Sequence, residues 1–123
     1  MKREELLELM QTLDDAWNKQ DWPVFRKRHA ADTAVYWPGQ PEPTRGRPNH
    51  ESEAREFFKT FPDNHLINRP YKILFADGKT IPPTNKSFHV EFCTVATWNE
   101  KGEITEERLF YDLVGLMRQI GLT

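Results

Sequence analysis

The chain has 123 residues, 29% of them charged, a net charge of −2 and one cysteine. That length suits a single domain over 1–123 with its own core, and the near-neutral balance without basic clusters argues against nucleic acid as the main partner. The lone Cys93 excludes an internal disulfide and fits a reducing cytoplasm. Met1 to Glu8 carries acids where a signal peptide needs an apolar run, and no apolar run approaches about 18 residues, so neither a leader nor a membrane span is expected.

Residues 4–19 read as the first helix, with Leu6, Leu9, Met10, Leu13, Ala16 and Trp17 on one stripe at helical spacing. Asp21 suits the N-cap of a short second helix that admits Pro23 in its first turn and turns Phe25 and His29 inward. Thr33–Trp37 reads as a strand, and residues 38–48 as a loop rich in proline and glycine. Asn49 is the expected cap of a third helix running to Thr60, whose stripe is Ala54, Phe57, Phe58 and Phe61, with His50 one turn earlier on the same face. Pro62-Asp63-Asn64 stops it. Tyr71–Phe75 is a further candidate strand, followed by an Asp77-Gly78 turn and a proline-containing loop to Asn85.

Lys86–Trp98, a turn at Asn99–Gly102, Glu103–Asp112 and a helix at Leu113–Gln119 complete the chain, with Gly121 in a helix-ending place. Phe88, Val90, Phe92, Ala96 and Trp98 share one face of the long strand at period 2; His89, Glu91, Cys93, Val95 and Thr97 share the other. Neither face is wholly polar, so both are expected to be covered over part of the length. Helices gathered early and strands late predict an α+β fold, a curved antiparallel sheet packed against three helices.

Several segments together resemble SnoaL-like polyketide cyclases and ester cyclases, within the nuclear-transport-factor-two-like superfamily: Ala30-Ala-Asp32 with Trp37-Pro-Gly39, Arg45-Gly46 before a His-headed helix, Phe61-Pro-Asp-Asn-His65, Ile81-Pro-Pro-Thr84, and Glu107-Arg-Leu-Phe-Tyr-Asp112 with Gln119-Ile-Gly121. The resemblance spans nearly the whole chain. It implies a cone-like fold with a pocket between helices and sheet, a homodimer for which strand exchange is one route, no metal and no organic cofactor. It also implies an acid/base aspartate near the end of the last strand, here Asp112, closing a polyketide ester by an intramolecular aldol reaction. One departure is visible: family members usually carry another strand after the segment matching Tyr71–Phe75, whereas here Phe75-Ala-Asp-Gly-Lys-Thr-Ile-Pro-Pro83 runs straight through.

The residues themselves leave two readings of Asp112 open. A carboxyl facing a ring-lined pocket would have its pKa raised into a useful range; an Asp at a strand-to-helix junction is also a natural N-cap. His50, near a helix N-terminus that disfavours its cation, is the partner expected to polarise an oxygen, unless it is a satisfied core histidine. His65, two residues from Asp63, either joins a site or caps a turn. Trp37, Phe57, Phe61, Phe92, Trp98 and Tyr111 either line a pocket for a small hydrophobic or aromatic ligand or form plain core. The four histidines lack the close paired spacing of a metal site along the chain. Two functions remain: an enzyme moving a proton α to a carbonyl, or a ligand-binding or dimerisation module without catalysis.

Overall fold

A computed structural model describes residues 1–67 and 90–119. The elements run α1 (Arg3–Lys19), α2 (Trp22–Lys27), β1 (His29–Tyr36), β2 (Thr44–Arg45), α3 (Arg47–Thr60), β3 (Phe92–Trp98), β4 (Ile104–Tyr111) and α4 (Leu113–Gln119). The expected strand at Tyr71–Phe75, the turn and loop up to Asn85, the start of the long strand at Lys86–His89, and Gly121 lie outside the described residues.

The fold class is α+β, as the order of helices and strands predicts. The sheet order is β2-β1-β4-β3. β1–β2 and β3–β4 are antiparallel, but β1 and β4 run parallel, with Val35 opposite Glu107. The sheet is therefore mixed rather than purely antiparallel. A parallel pair needs a long crossover, and here the chain between β1 and β4 carries α3 and β3.

Helix α1 places Leu13 and Ala16 in the interior, with Met10 and Trp17 against the core. Asp21 caps α2, its Oδ1 accepting from the Val24 N–H at 3.4 Å. The core joins Leu13 of α1, Phe25 of α2, Ala54 of α3 and Ile104 of β4, with Trp22, Ala96 and Trp98 packed around them. Phe25 and Ile104 are almost wholly buried; each such side chain contributes roughly 1.5–3 kcal/mol relative to exposure.

Two boundaries differ from expectation, and both position the site. β1 begins at His29, four residues before the expected strand, because the Ile104 N–H donates to Arg28 O at 2.7 Å and draws the end of α2 onto the sheet. Helix α3 is entered through Gly46, not capped by Asn49. Gly46 takes φ 90°, its N–H donates to Thr33 O at 2.8 Å, and its carbonyl accepts the first helical bond from the His50 N–H at 3.1 Å. The positive φ is what a glycine supplies there; Asn49 instead donates from Nδ2 to Arg45 O at 2.9 Å.

A β-bulge sets the face that β4 shows to the helices. Thr97 pairs with Glu106 while Trp98 pairs with Ile104, so one step on β3 spans two on β4. The extra residue, Thr105, shifts the alternation. Ile104 is buried, and after the bulge the odd-numbered Glu107, Leu109 and Tyr111 turn to the same side. On the opposite face Val95 and Phe110 are exposed, so among the described residues that side of the hairpin is not covered. Among the described residues, no helix is long and apolar enough to cross a membrane.

Candidate functional site

A cavity of about 540 Å³ opens between α1, α3 and the inner face of the sheet, with Met10, Leu13 and Trp17 on one wall and Val90, Phe92 and Leu109 on another. That volume suits a small organic ligand, and the lining is mainly apolar and aromatic, the usual make-up of a ligand pocket. Trp17, Phe57 and Phe61 form a run of rings, with centroids 6.0 Å and 5.1 Å apart along it.

Three buried polar side chains meet in its wall: His29 at the start of β1, His50 on α3 and Glu107 on β4. The Nε2 atoms of both histidines lie 3.5 Å from the same Glu107 Oε2. The far side of each ring is anchored. His29 Nδ1 sits 2.7 Å from Phe25 O, a carbonyl that can only accept, so Nδ1 carries a hydrogen. His50 Nδ1 sits 2.8 Å from Glu53 Oε1. Glu53 in turn accepts from Trp37 Nε1 at 2.6 Å and from Thr44 Oγ1 at 2.7 Å, so its carboxylate is held in place from three sides. The two imidazoles meet edge to face with centroids 4.8 Å apart, and Phe25 lies against both.

Burial disfavours a charge on His50, but the carboxylates of Glu107 and Glu53 outweigh it and raise its pKa to about 9. Burial likewise pushes Glu107 up, yet His29 and His50 more than offset this and hold it well below the usual carboxylate range. Because the folded state raises the His50 pKa above its ordinary 6.5, the stability it contributes is fully present below about pH 6.5 and disappears as pH rises through about 9. Denaturant unfolding in the presence of EDTA is expected to show stability falling between these values, with the fall much reduced in Glu107→Gln.

The profile of the SnoaL-like polyketide cyclases matches residues 7–120. The chain belongs to this family. Solved structures agree on the fold. IdmH from Streptomyces antibioticus, described as a proposed polyketide cyclase, is 21% identical, with 93% of this chain and 96% of that one covered and a TM-score of 0.66. Bal32a, from a soil-derived mobile gene cassette, is 15% identical with coverages of 90% and 92% and a TM-score of 0.68. A SnoaL-like protein of unknown function from Burkholderia thailandensis is 15% identical with coverages of 91% and 98% and a TM-score of 0.65. No curated protein matches the sequence.

In this SnoaL-like chain Trp37, His50, Phe57, Phe61, His65, Phe92 and Tyr111 all line the cavity. Trp98 does not; it packs against the core beside Ile104. Tyr111 is half-buried there, and burial raises its hydroxyl pKa. Asp112 stands outside the lining. Its side chain is exposed and its Oδ1 accepts from the Gly115 N–H at 2.8 Å, the N-cap of α4. A Cβ on residue 115 would collide with that carboxylate. Asp112→Ala is expected to cost about 1 kcal/mol in denaturant unfolding without changing ligand affinity at the cavity.

His29 and Glu107 are the site residues that the linear reading missed. His29 reads as an inward residue of α2, and its place opposite Ile104 at the parallel pairing is non-local. Glu91, the acid at the start of the long strand's described part, is exposed. The buried acid is Glu107, concealed by the bulge: counting by twos from Ile104 sends it outward, whereas counting back from Tyr111 sends it in. The histidines' wide spacing in sequence likewise says nothing of their meeting in space.

Proposed function

We propose that the chain is an enzyme of the cyclase or isomerase kind that moves a proton α to a carbonyl of a small, apolar, polyketide-like compound. The observation that carries this reading is the buried His50–Glu107 pair set into the wall of a mainly apolar cavity. A carbon acid next to a carbonyl needs two things: a base at the carbon and a positive partner for the developing enolate oxygen. Glu107 is the base, and the His50 imidazolium, fixed from behind by Glu53, is the oxygen's partner. His29 is a positioning residue that holds Glu107 from its other side. The Tyr111 hydroxyl, kept protonated by its burial, is a second donor at the cavity. These roles replace the acid/base part that the family resemblance implied for Asp112.

The aromatic lining takes up the flat apolar body of a conjugated chain. The test is a solvent-exchange assay. A hydrophobic 1,3-dicarbonyl or β-keto ester is incubated with the protein in deuterated buffer, and loss of the α-proton signal is followed by NMR. Exchange well above the buffer rate is expected. Saturable binding with exchange at the buffer rate would instead make the chain a ligand-binding module.

A further inference from the structure

We propose that His29, His50 and Glu107 form a binding site for one divalent first-row transition ion of the class that imidazole favours, such as zinc or ferrous iron. These are the residues of the proton-transfer reading in a second state: with the ion bound His50 is neutral and Glu107 is a ligand, so the proton-transfer roles belong to the ion-free protein and are tested separately.

The tautomers set by the neighbours leave both Nε2 lone pairs unused. Phe25 O holds the hydrogen of His29 on Nδ1, at 2.7 Å, so a neutral His29 presents the Nε2 lone pair. Glu53 does the same for His50, at 2.8 Å. Both lone pairs then lie 3.5 Å from an oxygen, Glu107 Oε2, that has only lone pairs of its own. Something cationic must lie among them: a proton, as in the charged pair described above, or a metal ion.

Distances favour the ion. Each Nε2 is 3.5 Å from Oε2, beyond a good hydrogen bond. His29 Nε2 and Glu107 Oε2 are both buried without a hydrogen-bond partner among the described residues. Three candidate ligand atoms, one from each residue, lie within 4.8 Å of one another. Two ligands placed about 2.0–2.1 Å from a tetrahedral ion stand roughly 3.3 Å apart, close to the two nitrogen-to-oxygen separations of 3.5 Å, and any wider separation within the 4.8 Å set closes as the ion draws the side chains in.

The surroundings also suit a metal. Ligating histidines typically donate their other N–H to a carbonyl or carboxylate, which fixes the ring and raises its basicity; His29 has Phe25 O and His50 has the thrice-held Glu53. Two imidazoles and one carboxylate match zinc or ferrous iron better than magnesium or calcium, which take oxygen ligands. Three protein ligands lining a cavity leave a further coordination position open toward it, the pattern of catalytic rather than structural sites.

The test begins with chelator-stripped full-length protein titrated with Co²⁺. One equivalent is expected to bind, with ligand-field bands in the visible that Zn²⁺ abolishes and Ca²⁺ does not. Glu107→Gln is expected to weaken Zn²⁺ binding by at least about 100-fold, and Glu53→Gln by about 10–100-fold, by calorimetry. If Glu107→Gln loses its folded circular-dichroism signal, paramagnetic broadening in the wild type decides instead. Co²⁺ must then affect the imidazole signals of His29 and His50 most strongly. Absence of stoichiometric uptake by the wild type, or broadening centred on His65 or His89, overturns the site. Either outcome leaves the solvent-exchange assay to judge proton transfer separately.

Discussion

Glu107→Gln is expected to slow the exchange of an α-proton in a bound 1,3-dicarbonyl by about 10²–10⁴-fold, the usual contribution of a positioned general base. The substitution preserves shape and removes the negative charge. The amide cannot take a proton from carbon, and it no longer holds His50 as a cation through charge attraction. Affinity for the dicarbonyl is expected to change far less than the rate, because the apolar walls that hold the ligand are untouched. A variant that keeps the wild-type exchange rate would remove Glu107 from the chemistry. Asp112→Ala, measured alongside, is expected to exchange at the wild-type rate, since its carboxylate bonds the start of α4 and stands outside the cavity.

The second large effect is on stability. His50→Ala is expected to cost about 3–5 kcal/mol, the penalty for leaving a buried charge without its partner. Glu107 would be left with His29 alone, and Glu53 would lose one of its three donors. In a chain of this length that loss lowers the melting temperature on the order of 10–20 °C. The double variant His50→Leu with Glu107→Leu is expected to recover much of it, because apolar replacements of similar volume leave no unpaired charge. His29 retains its bond to Phe25 O in that background. A cost under about 1 kcal/mol for His50→Ala would mean that the pair is already solvated, and the electrostatic description of the site would fail.

Much of the architecture was legible because it is written in local patterns. The stripe from Leu6 to Trp17, the Asp21 cap and the Asn99–Gly102 turn each depend on residues a few positions apart, and each appears where the pattern places it. The cavity's aromatic lining was legible for the same reason: Phe57 and Phe61 follow from helical spacing, and Phe92 from strand alternation. What escaped the linear reading depends on distant contacts. The parallel pairing of β1 with β4 needs a crossover that no short window reveals. The bulge at Thr105 reverses the phase of β4, hiding Glu107 on the side that simple alternation assigns to solvent. His29 joins the site only because Ile104 draws its neighbour Arg28 to the sheet. Asp112 shows the converse: its residue type and place fit two roles equally well in sequence, and the bond from the Gly115 N–H and its place outside the cavity lining are visible only in space.

The most direct measurement is an imidazole nitrogen NMR titration of the folded protein with a non-reactive apolar dicarbonyl analogue, with the Gly115 amide followed in parallel. The Nε2 signals of His29 and His50 are expected to move together with saturation, while the Gly115 amide, reporting on Asp112, stays still. Saturable binding that moves the Gly115 amide and leaves both histidines unchanged would contradict the placement of the site.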